Sequence, residues 1–148
     1  MSLSENLLST QARRQEVFTT TEAFTAIILA ATASDGYISQ QRADDISSAL
    51  LRIKLFSGYS GETVAQMLDK LLGLLRRDGF NVLFNTAKES LPQNLRETSF
   101  AVATDLVLSD SVVSEEERSF LNDLHQALNI DTTTATKIVE IMTIKNQG

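Results

Sequence analysis

Apolar residues along this chain recur at helical spacing over most of its length. Phe24, Ile27, Ile28 and Ala31 fall at i, i+3, i+4 and i+7, which is one apolar helix face. Thr20 or Thr21 is placed to cap its start. Ser34-Asp35-Gly36 is placed to end it, because Gly36 can take the positive φ that other residues resist. Ser39 opens a second helix through Ile46, Ala49, Leu50 and Ile53, and Ser57-Gly58-Tyr59-Ser60-Gly61 reads as a turn. A third helix from about residue 62 to 77 carries Val64, Met67, Leu68, Leu71, Leu72 and Leu75 on a broad buried face. Arg76-Arg77 suit the dipole at its end, and Gly79 is placed to stop it.

A short helix over residues 80–88 puts Phe80, Leu83, Phe84 and Ala87 on one side, and Ser90-Leu91-Pro92 breaks it, with Pro92 restarting the chain near a new first turn. Helices follow over about 93–109 and 114–128. Asp131 or Thr132 opens a last one through Ile138, Ile141 and Met142. No segment alternates at two-residue spacing between hairpin turns, so no sheet is expected. The pattern predicts an all-α single domain of about seven helices over residues 20–148. Residues 1–19 form an N-terminal arm or short helix ahead of it.

A longer-range pattern lies over this one. Ala26-Ile27-Ile28-Leu29-Ala30-Ala31-Thr32-Ala33-Ser34-Asp35-Gly36-Tyr37-Ile38-Ser39 aligns without gaps on Ala101-Val102-Ala103-Thr104-Asp105-Leu106-Val107-Leu108-Ser109-Asp110-Ser111-Val112-Val113-Ser114. Each copy is a helix of small apolar residues, then Ser-Asp, a tight turn, an aliphatic residue, and a Ser that opens another helix. The offset is 75 positions (110 − 35), and apolar pairs such as Ile46/Leu121, Ala49/Leu124 and Ile53/Leu128 extend the match. An internal repeat implies two similar helix–turn–helix halves, about 20–78 and 93–146.

Composition narrows the function classes. A length of 148 residues fits one domain with a sizeable core. Cysteine is absent, which removes disulfides, thiolate catalysis and Cys-ligated metal centres. The 13 Lys and Arg against 19 Asp and Glu give a net charge of −6, which argues against nucleic acid as a partner. The most apolar stretch, residues 24–33, has about half the roughly 20 residues that a membrane-spanning helix needs. Met1-Ser2-Leu3-Ser4-Glu5 has neither the basic start nor the long apolar run of a signal peptide. No phosphate-binding Gly loop, H-E-x-x-H or G-x-S-x-G occurs, so the chain is read as non-enzymatic.

Candidate chemistry gathers at the two Ser-Asp turns. In the second, Asp110, Ser111, Ser114, Glu115, Glu116 and Glu117 supply the hard oxygen ligands that Ca²⁺ or Mg²⁺ prefers. The competing reading is local. Ser114-x-x-Glu117 is a capping box, and acidic residues in a first turn stabilise the helix dipole. An EF-hand fails at both copies. Counting from Asp110, Val112 and Leu121 stand at positions 3 and 12; counting from Asp35, Tyr37 and Ile46 do.

The first copy has Gln40, Gln41 and Arg42 where the second has Glu115, Glu116 and Glu117. It therefore offers Asp35 alone, with Asp44 and Asp45 read as solvated surface. Asp105, one turn before Ser109 in an apolar helix, is read as structurally paired, because burying a lone carboxylate is costly. His125, the single histidine, sits beside Leu121, Leu124 and Leu128 and reads as a core-edge residue.

The motifs Ala30-x-x-Ala33-Ser34-Asp35-Gly36-x-Ile38-Ser39 and Leu108-Ser109-Asp110-Ser111-x-Val113-Ser114-Glu115-Glu116 resemble the TerB-like tellurite-resistance family over about residues 20–145. The resemblance implies an all-α fold of two similar halves, a cytoplasmic stress-response role and no catalysis. It also implies divalent-cation binding through Asp35, Asp110, Glu115 and Glu116, and action through partner proteins, some of them at the membrane. The alternative is a helical protein-interaction scaffold whose acidic turns only cap helices.

Overall fold

The helix that periodicity reads as one-sided is buried on every side. In the computed structural model, which describes residues 18–33, 37–109 and 114–148, helix α1 (Thr20–Thr32) buries every residue from 23 to 30. The sequence Ala23-Phe24-Thr25-Ala26-Ile27-Ile28-Leu29-Ala30 is apolar all round apart from Thr25, whose Oγ1 donates to Thr21 O at 2.8 Å. A helix of that kind belongs at the centre of its domain.

The neighbours of α1 follow in chain order. They are α2 (Gln40–Leu51), a 3₁₀ turn (Lys54–Phe56), α3 (Gly61–Asp78), α4 (Phe80–Glu89), α5 (Gln93–Leu108), α6 (Glu115–Ala127) and α7 (Thr132–Lys145). Helices α3, α4 and α5 pack directly on α1, α2 rests on α3, and α7 rests on α5. The molecule is all-α, with seven α-helices and no strand among the described residues. Of the expected arm over 1–19, residues 1–17 lie outside the described residues.

Local chemistry explains the boundaries. Thr19, rather than Thr20 or Thr21, caps α1. Its Oγ1 accepts from Glu22 N–H at 3.2 Å, and Glu22 Oε1 accepts from Thr19 N–H at 3.0 Å. The reciprocal box Thr19-x-x-Glu22 satisfies two orphan donors, where a lone hydroxyl satisfies one. Ser114 caps α6 with the same reciprocal box, while Ser39, Ser60 and Asp131 cap α2, α3 and α7 by accepting from a backbone N–H three residues on. Gly79 ends α3 at φ 88°, a left-handed conformation that glycine takes without a Cβ penalty. Pro92 is the cap residue ahead of α5, one position before the first turn. At the end of α4, the Arg96 guanidinium donates to Lys88 O at 2.8 Å and Leu91 O at 3.0 Å.

The 75-residue offset holds for the starts of α2 and α6. Ser39 and Ser114 cap them, and Ile46/Leu121 and Leu50/His125 are buried at matching positions. The ends of α1 and α5 miss the offset by one residue, so seven residues separate α1 from α2 and six separate α5 from α6. Helix α3, with 18 residues, differs from α7, with 14. In α7 the inward stripe is Ala135, Ile138, Val139 and Met142, at i, i+3, i+4 and i+7. Ile141, expected inside, is 60% exposed because it falls on the flank of that stripe.

Candidate functional site

A concave cleft of about 400 Å³ opens where α1 ends and α6 begins. Residues 30–33, Val107 of α5, the cap residue Ser114, and Glu116, Glu117 and Phe120 of α6 line it. Arg42 of α2 and Phe80 of α4 complete the lining. Phe80 stacks on Phe84, with centroids 5.6 Å apart, and meets Phe120 edge-to-face at 6.3 Å, so one side of the cleft is aromatic. Nearby, the Arg76 guanidinium lies 5.7 Å from the centre of the exposed Tyr37 ring, a cation–π distance.

Capping accounts for part of the acidity. Glu117 closes the box expected from sequence: Ser114 Oγ accepts from Glu117 N–H at 3.1 Å, and Glu117 Oε1 accepts from Ser114 N–H at 3.1 Å. Glu115 and Glu116 stand exposed in the same turn, outside the box, and Glu116 lines the cleft. Asp35 and Asp110 lie outside the described residues. The fit to a metal is therefore set by the carboxylates of α6. Among the described residues no group of three or more acidic or histidine side chains is gathered to hold an ion. Two adjacent glutamates fall short of the six to eight oxygens that calcium takes.

Arg42 is the residue that sequence reasoning did not place. Its Nη1 donates to Leu106 O at 2.8 Å, joining the start of α2 to the end of α5. Ser109 Oγ donates to the same carbonyl at 2.7 Å. A cation there answers the negative end of the α5 dipole and sets a positive group in the cleft that holds Glu116. The substitution of Arg42 for a glutamate of the other copy was visible in the alignment, but its reach of 64 positions along the chain was not.

Asp105, Asp44 and His125 behave as expected from sequence. Asp105 Oδ1 accepts from Lys145 Nζ at 3.1 Å and Asn146 Nδ2 at 2.8 Å, so it is structurally paired. Asp44 and Asp45 accept from Gln40 and Gln41, one turn earlier; Asp44 is exposed, and Asp45, expected as solvated surface, is half-buried. His125 is buried at the core edge, its ring edge-to-face with Phe100 at 6.3 Å. Asp105 is not among the residues that line the pocket at His125.

Two carboxyl groups outside the cleft are shifted. Burial pushes Glu22 up, but Lys70 Nζ at 2.6 Å and the Thr19 N–H outweigh it, so its carboxyl lies below the ordinary range. The Arg77 guanidinium holds the exposed Asp78 carboxyl low in the same way. Within the cleft, both hydroxyls among the described lining residues are engaged. Thr32 Oγ1 donates to Ile28 O at 2.8 Å, and Ser114 Oγ serves as the cap. What this lining offers is mixed charge and aromatic surface, which suits binding.

Fold and cleft together define an all-α helical domain with a concave, mixed-charge face. No family model, curated protein or solved structure matches the chain.

Proposed function

We propose that the chain is a non-enzymatic, TerB-like stress-response module of the cytoplasm that works by binding at the cleft between α1, α2 and α6. The observation that carries this reading is the meeting of Arg42, Glu116, Phe80 and Phe120 around one concavity at the paired helix starts. Charges of both signs beside aromatic edges suit a partner protein, since Arg and aromatic residues supply most interface anchors. The engaged hydroxyls and the lack of Cys or His among the described lining residues support a role without covalent chemistry. No helix among the described residues is long and apolar enough to cross a membrane, so action at a membrane would run through a membrane-associated partner.

Weak Ca²⁺ or Mg²⁺ binding belongs to the same proposal, with Asp110, Glu115 and Glu116 as ligands and Asp35 from the first turn. It is supported by the exposure of Glu115 and Glu116 outside the capping box. The second reading, a protein-interaction scaffold without metal, is favoured by the engagement of Glu117 in capping and by the small number of gathered carboxylates. Calcium titration followed by ¹H–¹⁵N NMR separates the two. Shifts at Asp110, Glu115 and Glu116 in the millimolar range are expected, and an unchanged spectrum overturns the cation reading. In the metal-free case, Glu115→Gln, outside the cleft lining, leaves partner binding intact.

A further inference from the structure

We infer that a second pocket, on a different face of α6 from the cleft, binds a small uncharged molecule with an aromatic ring and one hydroxyl, of the phenol class. The pocket lies between α6 and α7 over α5, has a volume of about 250 Å³, and is walled by Phe100, Leu108, Leu121, Ala135 and Val139. An apolar cavity of about 150 Å³ accommodates benzene, so this one admits a ring with a substituent or two. Exposed Asn122 and Thr136 lie at its rim, where solvent and ligand enter.

Its polar anchor is His125, which is only 5% exposed. His125 Nε2 and Thr132 Oγ1, both on the pocket lining, lie 3.5 Å apart, at the outer limit of a hydrogen bond. That contact is long, and the exposed Thr132 hydroxyl is open to an incoming ligand. A hydroxyl both donates and accepts, so one lodged against His125 and Thr132 satisfies both at normal distances while its ring fills the apolar walls. A carboxylate head is disfavoured. The lining carries one Arg118 and one Glu140, which supply no net positive charge to offset its desolvation.

The test uses the full ¹⁵N-labelled chain with phenol, toluene and benzoate as separate probes, read by ¹H–¹⁵N NMR. Phenol is expected to shift Phe100, Leu121, His125, Ala135 and Val139 saturably at millimolar concentration. Toluene, lacking the hydroxyl, is expected to bind about three- to tenfold more weakly, and benzoate to leave these signals in place. Thr132→Val removes the hydroxyl anchor and keeps the volume, so phenol should fall to the affinity of toluene. Thr132 is exposed, and the Asp131 cap of α7 does not depend on its side chain, so this variant folds. Thr136→Phe at the exposed rim should abolish binding of both probes while the circular dichroism spectrum stays helical. Equal affinity for phenol and toluene overturns the assignment. So do phenol shifts that are absent, unsaturable or centred elsewhere on the chain.

Discussion

Arg42 and Glu117 stand at the same place in two aligned helix starts and do opposite work. Glu117 turns back on its own helix and completes the box with Ser114, whereas Arg42 reaches across to the last turn of α5. Ser39 therefore caps α2 alone, with no reciprocal bond, and Ser114 caps α6 with one. Ser114→Ala should cost about 1 kcal/mol and Ser39→Ala less, read as the fall in urea midpoint at constant m. Glu22 gives a second residue-scale expectation. Its carboxyl is held low in the folded chain, so its contribution to stability is fully present above the ordinary glutamate value. That contribution is lost as pH falls through the folded value. Glu22→Gln should leave a protein whose stability varies less with pH across the acid range, as measured by urea unfolding at several pH values. Lys70 is largely exposed, so solvent screening keeps the effect small.

At the scale of elements, the contrast is between α1 and α7. Helix α1 is enclosed by α3, α4 and α5, and Ile28 within it has no exposed surface. Ile28→Ala should cost about 2–5 kcal/mol, since it removes core contacts and leaves a cavity. Ile141→Ala on the outward flank of α7 should change stability by less than about 0.5 kcal/mol. Thermal or urea unfolding of the pair measures this directly, and similar costs for both would contradict the placement of α7. Sequence periodicity treated the two isoleucines alike, because an i, i+3, i+4 match describes a stripe and does not say how wide the covering neighbours are. The capping residues were easier to read. Ser39, Ser114 and Asp131 were legible because an N-cap is a local bond within one turn. Thr19 was missed for want of the glutamate three positions on, a signal that the sequence did contain.

Over the whole molecule, one polar clasp ties the end of the chain to its middle. Asp105 receives Lys145 and Asn146, which fastens the last turn of α7 to α5. Asp105→Ala should speed amide hydrogen exchange in the last turn of α7 while global stability falls by no more than about 1 kcal/mol, as befits a partly exposed pair. Helix content, helix number and most boundaries were set by the sequence itself, through apolar spacing and short-range caps that act within one or two turns. The duplicated Ser-Asp turn was equally plain in the sequence. Tertiary structure alone decided which helix sits at the centre, that the partners of Asp105 are Lys145 and Asn146, and that Arg42 shares a cleft with Glu116. Those outcomes depend on contacts between residues as far as 75 positions apart, such as Ser99 Oγ donating to Phe24 O, whose partners no local pattern encodes.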